Sequence, residues 1–322
     1  MRVSVIIPNW NGEALLPVCL RSLRAQTVPA DQVIVADNGS TDGSLTVAES
    51  EYPGLMLLKL GKNFGFGYAV NRGIQACSAA DLILLLNNDT QVVKTWIEVI
   101  RDFFLAHPEA LFCACKMLNF FDHEIIDGAG DCLTRGGIPY KIGSAEKDAA
   151  AYSVHRTVFG ASGGASAYRA EFFQKVGLFD ERFFMYLEDV DLSLRAQLIG
   201  IPCHFLPAAV VYHMEAQSDP GRTGSSPNPH TTARTIWITR NRVLLLAKNY
   251  PAFLLLRYFP RIAGGFVKSF AFHLIKTGQV GAFMKGVYLG LREIRSVLPD
   301  RKAIQSSAKI SARRLQHLLE QC

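Results

Sequence analysis

No stretch of this 322-residue chain is both uncharged and apolar for long enough to cross a bilayer, which excludes a protein built on membrane-spanning helices. The start of the chain holds no basic stretch followed by a long apolar one. It runs directly into Val3-Ser4-Val5-Ile6-Ile7-Pro8, which reads as a strand, so a secretory leader is not expected. The seven cysteines (19, 77, 113, 115, 132, 203 and 322) are scattered in neither a zinc spacing nor a disulfide framework, as suits a reducing cytoplasm. Internal repeats and low-complexity tracts are absent. Charged residues make up only 19% against 49% hydrophobic, which excludes a disordered chain and leaves material for a sizeable core. The first strand lacks the Gly-x-Gly-x-x-Gly fingerprint of a dinucleotide site, which disfavours a dehydrogenase.

Acidic residues are scarce in one region. Residues 234–322 hold 16 Lys and Arg but only Glu293, Asp300 and Glu320, a balance of +13; residues 1–233 balance to −7 within a net charge of +6. A mildly acidic body therefore carries a basic, apolar tail. Its cations interleave with Phe, Leu, Ile and Val, as in Leu254-Leu255-Leu256-Arg257-Tyr258-Phe259. That pattern suits an anionic membrane surface better than a nucleic-acid backbone, so no nucleic-acid partner is expected. Ile304, Ala308, Ser311, Leu315 and Leu318 recur at helical spacing and give residues 301–322 a weakly apolar face. The competing expectation is that these helices pack on the body or form a homo-oligomer contact.

The first half alternates strand and helix signals. Apolar runs at Val3–Pro8, Val33–Asp37, Leu55–Leu60 and Leu82–Leu86 read as buried parallel strands. Ala14–Ala25, Ser44–Glu51, Gly67–Cys77 and Thr95–Ala106 read as the helices between them. This predicts an open α/β sheet, in which ligands sit beyond the carboxyl ends of the strands. Four such ends are rich in Asn, Asp and Gly: Pro8-Asn9-Trp10-Asn11-Gly12, Asp37-Asn38-Gly39-Ser40-Thr41-Asp42, Gly61-Lys62-Asn63-Phe64-Gly65 and Asn87-Asn88-Asp89-Thr90. Residues 119–157 read as irregular connection, and Gly221–His230 as a Gly/Ser/Pro-rich loop. The expected organisation is a body over 1–233, in two halves of about 1–118 and 119–233, followed by a helical region over 234–322.

Several of these residues suit particular chemistry. A carboxylate at Asp37 can accept the N3–H of a pyrimidine ring, and Thr41 or Asp42 can cap the next helix. The glycines after Asn63 permit close backbone approach at a helix start, where the dipole favours an anion. Asp89 emerges where a hard cation on a diphosphate would sit, which suits Mg²⁺ or Mn²⁺. Glu188-Asp189-Val190-Asp191 crowds three carboxylates into one helical turn; an Asp191–Arg195 pair at i,i+4 would leave Asp189 free as a general base with a raised pKa. His213 ends a strand, and Arg240-Asn241-Arg242 offers cations for phosphate.

In this order the motifs resemble the family 2 glycosyltransferases of GT-A fold, over roughly residues 3–245, and in particular the rhamnosyltransferase-like branch. The resemblance rests on Val5–Gly12, Val35–Asp42, Asn63–Gly67, Leu86–Thr90 and Phe179–Leu192. It implies a Rossmann-like nucleotide-binding sheet with helices on both faces, followed by the helical tail. It implies that Pro8, Asn9 and Asp37 hold the nucleobase and ribose, with Asn38, Asn63, Asn71, Asn88 and Arg240 near the donor. Asp89 matches the last carboxylate of an Asp-x-Asp metal motif, His213 a further metal ligand, and Asp189 the catalytic base with Glu188 beside it. The chain departs from the pattern at Asn87, where many members carry Asp. The implied reaction is an inverting transfer of a sugar, L-rhamnose from dTDP-rhamnose or a hexose from a UDP-sugar, to a lipid-linked or polysaccharide acceptor at the inner face of the cell membrane. Two other classes stay open: a non-catalytic carbohydrate-binding module, which would not need Glu188, Asp189 and Asp89 together, and a nucleotidyltransferase, whose Gly-rich, cation-bearing first loop is replaced here by Asn9-Trp10-Asn11-Gly12.

Overall fold

Val3-Ser4-Val5-Ile6-Ile7 leaves no polar side for a wet sheet face, and in the computed structural model, which describes residues 1–77, 79–214 and 231–319, these residues are buried in β1 (Val3–Asn9). The rest of the first half follows as α1 (Leu16–Arg24), β2 (Gln32–Asp37), α2 (Ser44–Glu51), β3 (Met56–Lys59), α3 (Phe66–Ala76), β4 (Leu82–Leu86), β5 (Thr90–Val92), α4 (Trp96–Ala106) and β6 (Phe112–Asn119). The second half adds β7 (Ile126–Gly128), β8 (Asp131–Leu133), β9 (Pro139–Lys141), β10 (Arg156–Val158), β11 (Ala165–Arg169), α5 (Ala170–Val176), α6 (Glu188–Leu198) and β12 (Cys203–His213). The tail folds as α7 (Thr232–Asn249), α8 (Ala252–Phe272), α9 (Val280–Ser307) and α10 (Ala312–Leu318).

The main sheet runs β10-β12-β6-β11-β4-β1-β2-β3, with β5 on β12 and β7 on β6. Strands β3, β2, β1 and β4 are parallel, and β11 enters antiparallel between β4 and β6. Chain order reverses at β1, which pairs β2 on one side and β4 on the other. Such a switch point opens a crevice beyond the strand ends. The sequence placed the first four strands and the helices between them to within two residues at each boundary.

Residues 119–157 are more regular than expected. They hold β7, the β8–β9 hairpin and the start of β10. Three-residue strands give too short a hydrophobic alternation to register in sequence. Five cysteines (19, 77, 113, 115 and 203) are free, and Cys132 is disulfide-bonded. Spacing along a chain does not show which sulfurs the fold brings together. The loop expected at Gly221–His230 lies outside the described residues.

The tail is packed on the body. One apolar cluster joins Phe183, Leu187, Val190, Leu194 and Leu198 to Leu244, Leu245, Tyr250, Leu254, Tyr258, Val297 and Leu315. Helix α9 lies close along α7 because Gly286 and Gly290 face it; a Cβ at Gly286 would stand 2.7 Å from the Ile236 carbonyl. The apolar face expected at residues 301–322 is not presented to a surface: Leu315 is buried, Ile304 and Ala308 pack on the same cluster, and Lys309 and Ile310 donate backbone bonds to the Leu198 carbonyl. The exposed large apolar residues of the tail lie on α8, α9 and the turn between them, among them Leu256, Val267, Ile275, Met284, Tyr288 and Leu291. Among the described residues no helix is long and apolar enough to cross a membrane.

Candidate active site

Beyond the switch point lies a cavity of about 630 Å³. Its polar end is built from strand-end loops. The Asn9 Nδ2 donates to Asp37 Oδ1 at 3.0 Å, and Asn88 Nδ2 donates to Asn9 Oδ1 at 2.8 Å, which ties the ends of β1, β2 and β4 together. Asp37 Oδ2 accepts from the Gly39 and Ser40 amides at 3.1 and 3.0 Å. Asn38 donates to the Gly65 carbonyl, and Asn63 Oδ1 accepts from the Gly65 amide. Pro8, Asn9, Asn38, Asn63 and Asn88 all reach the cavity wall.

Three expected donor residues stand back from that wall. Asp37 is 2% exposed and braces its own loop. Asn71 is spent on the Phe179 backbone, donating to its carbonyl at 2.9 Å and accepting from its amide at 3.0 Å. Arg240 is buried against Glu293, with Nε 3.0 Å from Oε2, and donates to the Arg182 carbonyl. Each of these side chains holds other parts of the fold.

In the cavity wall Asp89 meets His213. Strand β5 pairs with β12, and the Met214 amide donates to the Asp89 carbonyl at 2.9 Å, which brings the two together. His213 Nε2 lies 3.3 Å from Asp89 Oδ1 but off the line of a hydrogen bond, so that buried oxygen has no hydrogen-bond partner. On the other side His213 Nδ1 lies 3.0 Å from Asp127 Oδ2, which also receives Lys141 Nζ at 2.7 Å. Burial works to lower the His213 pKa, but the charges of Asp89 and Asp127 outweigh it and raise it to about 9. Burial likewise favours neutral Asp127, yet Lys141 and His213 hold it well below the usual carboxylate range.

This arrangement suits a divalent cation taking the place of the proton on His213 Nε2. An orphaned carboxylate oxygen stands beside an imidazole whose second nitrogen is fixed by a carboxylate, the usual support of a metal-bound histidine. Among the described residues no three His, Cys, Asp or Glu side chains stand at ligand spacing. Mg²⁺ and its relatives need no such cage, because substrate phosphates complete their shell.

The start of α6 lines the same cavity. The three carboxylates diverge. Asp191 is fully buried and turns into the body, where Arg195 Nε, Lys248 Nζ and Asn249 Nδ2 reach it at 2.9, 2.8 and 2.7 Å. The Asp191–Arg195 pair is the one that the i,i+4 spacing suggested. Asp189 turns to the cavity; its Oδ2 accepts from the Gly163 amide at 2.9 Å and its Oδ1 from the Val190 amide at 2.8 Å. Burial raises its pKa, the two amides work against that, and the net shift is upward. Glu188 is 5% exposed with Oε2 unpartnered, and burial followed by the Asp189 charge pushes its pKa well up.

Sequence reasoning missed Asp131, Asp127, Lys141 and Gly163. Asp131 is 6% exposed at the cavity wall, with a pKa raised well above normal by burial and by the Asp189 charge. The signal was present: Asp127-Gly128-Ala129-Gly130-Asp131 is a polar, Gly-rich break between Ile125-Ile126 and Cys132-Leu133. The cavity wall also holds an apolar group, Ile138, Pro139, Tyr140 and Ile238, with Arg234 and Arg242.

Residues 4–177 match Glycosyl transferase family 2. The chain is 33% identical over 235 residues to the N-acetylglucosaminyl-diphospho-decaprenol L-rhamnosyltransferase of Mycobacterium tuberculosis, covering 66% of this chain and 75% of that one. It is 24% identical over 229 residues to the O-antigen chain rhamnosyltransferase RfbN of Salmonella typhimurium, covering 66% of each. Among solved structures, S. aureus TarS 1–349 in complex with UDP-GlcNAc superposes with TM-score 0.58 at 17% identity, over 99% of this chain and 91% of that one. The mannosyltransferase PcManGT of Pyrobaculum calidifontis, in complex with GDP-Man and Mn²⁺, gives 0.53 at 16% identity, over 95% and 85%.

Proposed function

The chain belongs to the family 2 glycosyltransferases, with a GT-A fold and rhamnosyltransferase relatives, and from that premise we propose that it is an inverting enzyme moving L-rhamnose from dTDP-rhamnose, or a hexose from a UDP-sugar, to a hydroxyl of a lipid-linked or polysaccharide acceptor. The observation that carries this reading is Asp189, a carboxylate in the wall of the same cavity as Asp89 and His213.

Asp189 removes the proton from the acceptor hydroxyl as its oxygen attacks the anomeric carbon. Attack comes on the face opposite the nucleoside diphosphate, through an oxocarbenium-like transition state, and no covalent enzyme intermediate forms. The Gly163 and Val190 amides orient the carboxylate, and burial raises its proton affinity toward what a general base needs. Asn9, Asn38, Asn63 and Asn88 seat the nucleotide end of the donor. Asp89 and His213 would hold Mg²⁺ or Mn²⁺, which supplies charge neutralisation at the departing diphosphate. The apolar, arginine-bearing end of the cavity supports a diphosphate-lipid acceptor of the kind named for the mycobacterial relative.

The exposed apolar residues of α8 and α9 stand among Arg257, Lys268, Lys276, Lys285, Arg292 and Arg295, which supports peripheral attachment to the inner face of an anionic membrane. A donor screen scoring nucleoside diphosphate release tests the activity; release that persists undiminished in Asp189→Asn removes that residue from its role. Liposome flotation tests the membrane. The protein should float with anionic vesicles at low salt, and Leu256→Glu with Ile275→Glu, both fully surface positions, should abolish it. Assembly into oligomers without flotation would make this face a contact between copies.

A further inference from the structure

The turn that delivers Glu188 and Asp189 is backbone-strained. Phe184 sits at φ 60° and ψ −65°, in a γ-turn closed by the Met185 amide on the Phe183 carbonyl at 2.6 Å, and Tyr186 and Leu187 are left-handed at φ 69° and 68°. Bulky residues avoid these conformations unless their surroundings over-determine them. Four successive carbonyls in this turn are taken up from outside it. Phe184 O receives the Phe66 amide at 2.7 Å. The other three converge on one side chain of the tail: Asn241 Nδ2 lies 2.8 Å from Phe183 O, 2.8 Å from Met185 O and 2.7 Å from Tyr186 O.

Asn241 is completely buried on α7. Its orientation is set by its neighbour, because Arg240 Nη1 donates to Asn241 Oδ1 at 2.6 Å and so leaves the amide hydrogens facing the turn. The same Arg240 nitrogen donates to Arg182 O at 2.8 Å, just ahead of the turn, and Glu293 of α9 fixes the guanidinium. We infer that Asn241, oriented by Arg240, is a positioning residue that holds the strained turn and thereby fixes the Asp189 carboxylate at the cavity wall. The tail is then a working part of the active site, and Arg240 serves it from behind rather than by gripping donor phosphate. This inference rests on the assignment of Asp189 as base.

The test is a double-variant cycle on the full chain. Asn241→Asp keeps the size of the side chain but removes the two N–H groups that the three carbonyls share. With thermal unfolding confirming a folded protein, it should lower kcat about 10²-fold, the scale of a misplacement near 1 Å. Donor KM and nucleoside diphosphate binding should stay within about threefold, because Asn9, Asp37 and Asn88 brace the polar end among themselves and the turn meets it at the Phe66–Phe184 bond, which does not involve Asn241. In an Asp189→Asn background the same change should cost less than about threefold more, since the group it positions is already gone. Unchanged kcat, a loss confined to KM, or a full 10²-fold further loss in that background overturns the inference. Should Asn241→Asp not fold, Arg240→Lys, which loosens the Asn241 amide while keeping a cation on Glu293, should lower kcat about tenfold with donor KM unchanged, and parental kcat overturns the inference. Full transfer by Asp189→Asn alone overturns the base assignment, and this inference with it.

Discussion

The two ends of the cavity are held in contrasting ways. At the proposed donor end, Asn9, Asn38, Asn63 and Asn88 brace one another and the loops beside them, all within the first 90 residues. At the proposed acceptor end, the turn and helix carrying Asp189 are braced by residues about 55 to 70 positions later: Asn241 on the turn, Lys248 on Asp180 and Asp191, and Asn249 on Asp191. A site built from strand-end loops can be stable by local bonding. A strained turn with three carboxylates needs partners that the local chain does not supply, and here they come from a helix that composition alone marks as a basic tail. Those cations are largely occupied: Arg240, Arg242 and Lys248 are buried and bonded, so the positive charge of α7 serves the body before any surface.

The comparison is tested most severely at Asp189. Asp189→Asn should lower turnover by about 10²–10⁴-fold, the usual worth of general-base catalysis, while donor binding by calorimetry stays near parental. Loss of both together would mean that the two ends are not independent.

Lys248→Met should come next, and on stability rather than chemistry. It removes the shared partner of two buried carboxylates, for which about 3 kcal/mol of lost unfolding free energy is expected in urea titration. Asn63→Ala at the donor end should change stability by about 1 kcal/mol or less, since one hydrogen bond near the surface is at stake. Equal losses would erase the distinction between the two ends.

Asp89→Ala should weaken donor binding and abolish rescue by added Mn²⁺ or Mg²⁺, because a hard cation needs an anionic oxygen at this point. Full activity of the parent protein in excess chelator would show that donor binding does not depend on a cation there.

The smallest effect separates the two sets of carboxylates by pH. At Asp180 and Asp191 burial favours the neutral form, but Arg182, Lys248 and Arg195 outweigh it and hold both pKa values down. Their stabilisation is therefore complete above the unfolded value of about 4 and is lost as pH falls below it. Glu188 has the opposite sign. Its folded pKa is raised, so the unfolded chain releases a proton above about pH 4 that the folded chain keeps, and stability falls as pH rises from there. Glu188→Gln should therefore be more stable than the parent at pH 7 and converge with it by about pH 3, whereas Lys248→Met should lose most at neutral pH. A Glu188→Gln protein no more stable at pH 7 than the parent would show that this carboxyl is not strained by its burial.

The nucleotide half was legible because its signals are local. Continuous apolar runs such as Leu82–Leu86 read as buried strands, and the polar Asn/Asp/Gly clusters at the strand ends line the cavity. The order of these clusters was enough to place the family. Within the acidic motif, spacing alone paired Asp191 with Arg195 and left Asp189 unpaired. The sequence could not show that Asp37 and Asn71 turn away from the cavity, that Asp131 and Asp127 enter the site from a segment read as irregular, or that Arg240 meets Glu293. Each depends on a contact between residues far apart in the chain, where periodicity carries no information. The tail shows the limit most clearly. Its composition allowed either a membrane-facing or a body-facing helix; the Leu244–Leu246 run, the close approach at Gly286 and Gly290, and the carbonyls awaiting Asn241 seat α7 against the body, because only there are its apolar surface and its buried polar groups satisfied together.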